Sequence, residues 1–124
     1  MIEAGLTYEK NVVVTEEMTA EKVGSGMLPV YATPCMIALM EGTCAECAAA
    51  CMAEGEGTVG VAVDIAHIAA TPVGMTVRCE CLLKEVKGRK LIFEVNAYDE
   101  KKQIGKGTHT RVIINNADFM AKLA

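Results

Sequence analysis

Three residues of this chain invite chemistry by their type and spacing: Thr33, Glu41 and His67. Glu41 stands in the Ala- and Met-rich run from Cys35 to Met52. On a helical wheel its neighbours are Ile37, Ala38, Cys44 and Ala45, all apolar. An ionisable carboxylate on an apolar face is costly unless it is paired or used. Glu41 is therefore either a working base or nucleophile, or a side chain that reaches solvent or a second copy of the chain. Thr33 precedes it by two helical turns and is about 80° off alignment, so the two can border one cavity. Read alone, Thr33 before Pro34 is a helix cap. His67 is one of 2 histidines and precedes the turn Ala69-Ala70-Thr71-Pro72. Imidazole titrates near neutral pH, which suits it to moving a proton.

Other polar sets read as structural. Glu46 lies about 140° round the helix from Glu41, among small residues. Cys44, Cys47 and Cys51 share one helix face, and Cys79 and Cys81 share one strand face. They read as small core hydrophobes. Structural zinc usually takes four ligands and a loop knuckle, so no metal is expected. No Gly-rich loop ending in Lys and Ser/Thr follows a strand, so a nucleotide triphosphatase is not supported.

The elements that must position these residues can be read from periodicity. Leu6–Thr15 predicts a strand, and Glu16–Val30 a loop with one helical turn. A helix is expected from Thr33-Pro34 to about Met52, stopped by Gly55 and Gly57. It is apolar nearly all round, which predicts enclosure by other elements. Thr58–Ala66 alternates, with Val59, Val61, Val63 and Ile65 on one face. Strands follow over Met75–Val86, Lys90–Tyr98 and Gln103–Ile114, joined by short turns, then a terminal helix over Asn115–Leu123 capped by Asn116. Hairpin turns make neighbours antiparallel. The expected fold is α+β, one antiparallel sheet wrapped round one long helix, in a single domain over 1–124. Too little sheet to enclose that helix predicts a homodimer, paired along Thr58–Ala66.

Composition bounds the function. The 124 residues are 52% apolar and 23% charged, with net charge −4, no Trp and 4% aromatics. An acidic chain poor in aromatics argues against nucleic-acid binding. The most apolar stretch carries Glu41 and Glu46, so no membrane span is expected. The start lacks a basic segment followed by an apolar run, and the 6 Cys then read as reduced thiols in the cytoplasm.

Together, Tyr31-Ala32-Thr33, Leu39-Met40-Glu41, Gly55-Glu56-Gly57, His67 with Ala69-Ala70-Thr71-Pro72, and Gly105-Lys106-Gly107-Thr108-His109-Thr110-Arg111 carry a resemblance. Over nearly its whole length the chain resembles the hotdog-fold acyl-CoA thioesterases of the fluoroacetyl-CoA thioesterase-like branch. The resemblance implies a hotdog fold, a five-stranded antiparallel sheet round a long central helix, paired as a dimer. It implies Thr33, Glu41 and His67 as the catalytic set, and Gly60 as a backbone donor near the thioester oxygen. It places Arg111 and Met27 at the substrate. Pro34 stands where the fluoroacetyl enzymes have Gly, and Met27 about where they carry a lid Phe.

The implied activity is hydrolysis of a short acyl-CoA thioester, with coenzyme A as part of the substrate and no separate cofactor. Glu41 would attack the carbonyl or activate water, Thr33 would position, and His67 would handle the proton. Lys87, Arg89 and Lys90 at a hairpin tip are candidates for the coenzyme's phosphates. Two other readings are carried: a non-catalytic acyl-CoA or small-ligand binding dimer, and a dehydratase of the same fold, against which the Thr/Glu/His spacing speaks.

Overall fold

A computed structural model describes residues 2–124. In chain order the elements are β1 (Thr7–Val13), a 3-10 turn (Glu16–Met18), α1 (Ala20–Val23), α2 (Thr33–Ala49), β2 (Glu56–His67), β3 (Thr76–Lys87), β4 (Lys90–Tyr98), β5 (Gln103–Asn115) and α3 (Asn116–Ala121). The five strands form one antiparallel sheet in the order β1-β3-β4-β5-β2. This is the sheet and long helix expected from the sequence. None of the helices is long and apolar enough to cross a membrane among the described residues.

The core lies between the sheet and one stripe of α2. Met36, Met40, Thr43, Cys44, Cys47 and Ala48 recur at three- and four-residue steps and are buried. They pack on Val77, Cys79, Cys81, Leu83, Leu91, Phe93, Val95, Ala97 and Ile104. The approach is closest at Gly105, where an added Cβ would stand 2.5 Å from Met36 Sδ. The helix is not enclosed all round, as its composition suggested. Thr33, Pro34, Ala38, Glu46 and Ala49 face outward, because one sheet covers one side of a helix. On that outer side Glu46 takes an ion pair from Lys10 and a hydrogen bond from Tyr8 Oη.

Local expectations fail at three places. The α2 N-cap is Ala32, with extended backbone, so Thr33 is already the first helical residue and caps nothing. The helix ends at Ala49, three residues short of Met52. At α3 the cap is Asn115 rather than Asn116: its extended backbone ends β5, and its Oδ1 accepts from the Asp118 N–H at 3.0 Å.

The largest departure is in β2. Gly60 pairs with Arg111 and Ala62 with Thr110, leaving Val61 as an extra residue. This β-bulge reverses the alternation, since one inserted residue moves the following side chains to the other face. Thr58 and Gly60 share a face with Ile113 and Arg111, and beyond the bulge Val63, Ile65 and His67 take that inner face. The four residues Val59, Val61, Val63 and Ile65 therefore do not line one side.

Candidate active site

His67 closes β2, and its side chain turns back to the start of α2. Its Nδ1 lies 2.7 Å from Thr33 Oγ1, and its ring meets Tyr31 edge-on at 6.5 Å. Thr33 can serve His67 because Ala32 has taken the capping position. The His67 Nε2 is buried and has no hydrogen-bond partner. A buried ring nitrogen left unpaired costs free energy. Burial holds the His67 pKa below the ordinary imidazole value, against the pull of the Ala69 carbonyl. That shift favours the neutral form of the imidazole. Tyr31, Thr33 and His67 line a cavity of about 290 Å³ with Val30, Ile68 and Ala69.

Glu41 stands two turns along α2, facing the bulge. An added Cβ on Gly60 would lie 2.9 Å from Glu41 Oε2, 3.0 Å from His109 Cε1 and 3.2 Å from Arg111 Nη1. Three polar side chains thus converge on one glycine, and any larger residue there would displace them. Bulges recur beside active sites because they re-aim side chains. Glu41, Gly60, Val63 and His109 help line a second cavity of about 240 Å³. Arg111 is buried; its Nε donates to Thr58 Oγ1 at 2.9 Å and its Nη2 to the Thr58 carbonyl at 3.0 Å. Burial lowers its pKa and the Glu41 charge raises it, with the lowering the larger.

The structure brings Thr33 to His67, and Glu41 to Gly60 and Arg111. It does not join the two groups in one cavity, since the two cavities share no lining residue. The reason is the roughly 12 Å that eight residues of helix span. His67 reaches only the first turn of α2, and the bulge covers the third. Met27 is 90% exposed and lines neither cavity. At the β3–β4 tip Lys87 pairs with Glu85 and Arg89 with Glu56.

His109 has no role in the set that the resemblance implies, yet it sits buried beside Glu41 and Arg111. The available signal was its spacing from Arg111, two apart on a strand and so on one face. All six cysteines are free, and burial pushes the Cys47 thiol up to about 12 and Cys79 to about 11, far from the thiolate a nucleophile needs. No cluster of three or more His, Cys, Asp or Glu suited to a metal occurs among the described residues. Another concavity, about 620 Å³, opens on the sheet among Glu9, Glu80, Leu82 and Glu94, and none of Thr33, Glu41, Gly60, His67, His109 or Arg111 lines it.

A helix wrapped by an antiparallel sheet, with a polar cluster where helix and edge strand meet, defines the hotdog class. A hot-dog-like protein from Thermanaerovibrio acidaminovorans shares the fold at 19% identity, with a TM-score of 0.90 over 98% of this chain and 90% of that one. A family model of fluoroacetyl-CoA-specific thioesterases matches residues 14–117, and the chain belongs to that family. It is 43% identical over 94 residues to the fluoroacetyl-CoA thioesterase of Streptantibioticus cattleyicolor, covering 76% of this chain and 68% of that protein. It is also similar to a crystallised mutant of the fluoroacetyl-CoA-specific thioesterase in complex with fluoroacetate and CoA. The identity is 34%, covering 95% of this chain and 99% of that one, with a TM-score of 0.90.

Proposed function

We propose that this protein hydrolyses a short acyl-CoA thioester to the free acid and coenzyme A, acting as a homodimer. The observation that carries the reading is the Glu41 carboxylate, set over Gly60 beside Arg111 on an otherwise apolar helix face. Hydrolysis needs an attacking oxygen, charge stabilisation at the carbonyl and a proton for the departing thiolate. Glu41 supplies or activates the oxygen. Gly60 contributes backbone at the carbonyl, and Arg111 supplies nearby positive charge. The Thr33–His67 pair, in the neighbouring cavity at the first turn of α2, keeps His67 Nε2 free to carry a proton. A small cavity lined by Val61 and Val63 suits a short acyl chain. Acyl-CoA as ligand is supported by the related structure with fluoroacetate and CoA. The open edge of β2 supports the dimer, since a second copy pairing there would wall the Glu41 cavity.

The test is thiol release from a panel of short acyl-CoA esters, fluoroacetyl-CoA included, by the parent and by Glu41→Gln. Loss of a general base costs ~10²–10⁴-fold in rate, and Gln keeps the size of the side chain. Turnover by Glu41→Gln equal to the parent's would remove Glu41 from the mechanism. Acyl-CoA that stays bound and intact on the parent protein would make it a binder.

A further inference from the structure

His109 is 1% exposed beside the Glu41 cavity, and the reaction as proposed makes no use of it. Its two nitrogens have fixed roles. Nδ1 lies 2.8 Å from the Ala62 carbonyl oxygen and must donate to it. Nε2 lies 3.1 Å from Arg111 Nη1 and must accept, because a guanidinium only donates. The ring is therefore neutral, in one tautomer. Burial and the Arg111 charge both hold its pKa low, against the Ala62 hydrogen bond and Glu41. Thr58 takes the other side of the guanidinium through its hydroxyl and its carbonyl.

The Glu41 carboxylate is the next group along. Its Oε2 and Arg111 Nη1 lie 2.9 and 3.2 Å from one point, the position of a Cβ on Gly60, so they are within about 6 Å of each other. Yet Glu41 joins none of the ion pairs among the described residues. The groups facing it settle what could change that. From α2 come Glu41 itself and Cys44, and from β5 His109 and Arg111. Facing β5 from β2 are Thr58, Gly60 and Val63, and from β4 Leu91 and Phe93, none of them titratable. Arg111 is the one cation in the set.

We infer that His109 is a positioning residue: its Nε2, together with Thr58, holds the Arg111 guanidinium beside the Glu41 carboxylate but off it, leaving both carboxylate oxygens open to the thioester or to water. The inference rests on Glu41 acting as the base or nucleophile. An arginine that closes on a carboxylate makes charge-assisted hydrogen bonds and occupies its lone pairs. It also lowers the carboxylate's basicity, and a weaker base is a slower one. The bulge carbonyl of Ala62 fixes the ring, the ring fixes the guanidinium, and the guanidinium stays clear of Glu41.

Two substitutions separate the two ring nitrogens. His109→Asn puts an amide near the Nδ1 position, able to reach Ala62 but not Arg111. His109→Gln puts one near the Nε2 position, able to accept from Arg111. Thr58→Val removes the hydroxyl that accepts from Arg111 Nε, leaving the carbonyl to Nη2, at a half-buried edge position, and carries the test should His109→Asn fail to fold. Two readouts apply: kcat for thiol release, and the titration midpoint of the Glu41 carboxyl by carbon NMR, which needs no turnover. His109→Asn and Thr58→Val are expected to move the Glu41 midpoint below the parent's, because Arg111 then closes on the carboxylate. Their kcat should fall roughly 10-fold or more. His109→Gln should recover most of both. An unchanged Glu41 midpoint in His109→Asn overturns the proposal, as does an equal effect of Asn and Gln. If Glu41→Gln turns over normally while His109→Asn still moves the midpoint, the placement of Arg111 stands and the catalytic reading of Glu41 falls.

Discussion

The Thr33 hydroxyl reaches His67, 34 residues away in sequence, rather than the free N–H groups at the start of its own helix. Those two uses predict different behaviour. Removal of a capping hydroxyl costs about 1 kcal/mol of stability. Because Ala32 is the cap here, Thr33→Ala should leave the melting temperature nearly unchanged. Turnover should fall, by up to about 10²-fold, as His67 loses its orienting partner. Thr33→Ser keeps the hydroxyl and should retain much of the activity. Thermal melts and thiol release on the same samples check both halves. A variant that melts lower and turns over normally would return Thr33 to a capping role. Glu46, the other helix carboxylate, needs no such test, because exposed partners from β1 satisfy it.

At the scale of elements, the turn between β4 and β5 is held by one carboxylate. The Asp99 side chain is fully buried and accepts from Thr71 Oγ1 at 2.9 Å, the Lys101 and Lys102 N–H groups at 2.8 and 3.0 Å, and Lys102 Nζ at 2.8 Å. It clamps this turn to the segment that follows His67. Burial alone would raise its pKa, but the four donors outweigh that and hold it down at about 2. The unfolded value is near 3.8, so the stabilisation is fully present above about pH 4 and is lost as pH falls toward 2. Asp99→Asn should remove that part of the acid dependence. It should also cost about 2 kcal/mol at neutral pH, read from urea melts at several pH values. Identical acid limbs in parent and variant would show that Asp99 does not carry the clamp.

The whole molecule leaves two strand edges, β1 and β2, and one helix face unmatched. β2 is paired on one side only, and Val61 and Val63 on it are 56% and 47% exposed. An open, apolar edge strand is a template for another chain. Sedimentation at micromolar concentration should therefore give a dimer. Val61→Lys, which places a charge on that edge, should shift it toward monomer. A parent protein that sediments as a compact monomer would exclude pairing along β2.

Much of this protein was legible in its sequence, because the deciding forces act between near neighbours. Helical period put Glu41 on an apolar face and hid the Cys44 and Cys47 side chains. Hairpin turns with Gly88 and the Asp99 run set neighbouring strands antiparallel. Those features need only a few residues of context. The bulge at Val61 is different: an extra residue in β2 exists only relative to its partner β5, and alternation read along one strand cannot show it. That bulge turned Val63, Ile65 and His67 to the face that Gly60 already occupied. The pairing of Thr33 with His67, folded back from the far end of β2, likewise joins segments that local spacing cannot relate. The placement of the His109 ring depended on two groups, the Ala62 carbonyl of β2 and Arg111 of β5, meeting its two nitrogens. Local spacing determined which residues had the chemistry. Long-range strand register decided which of them meet, because hydrogen-bond partners across a sheet are set by the pairing of distant segments.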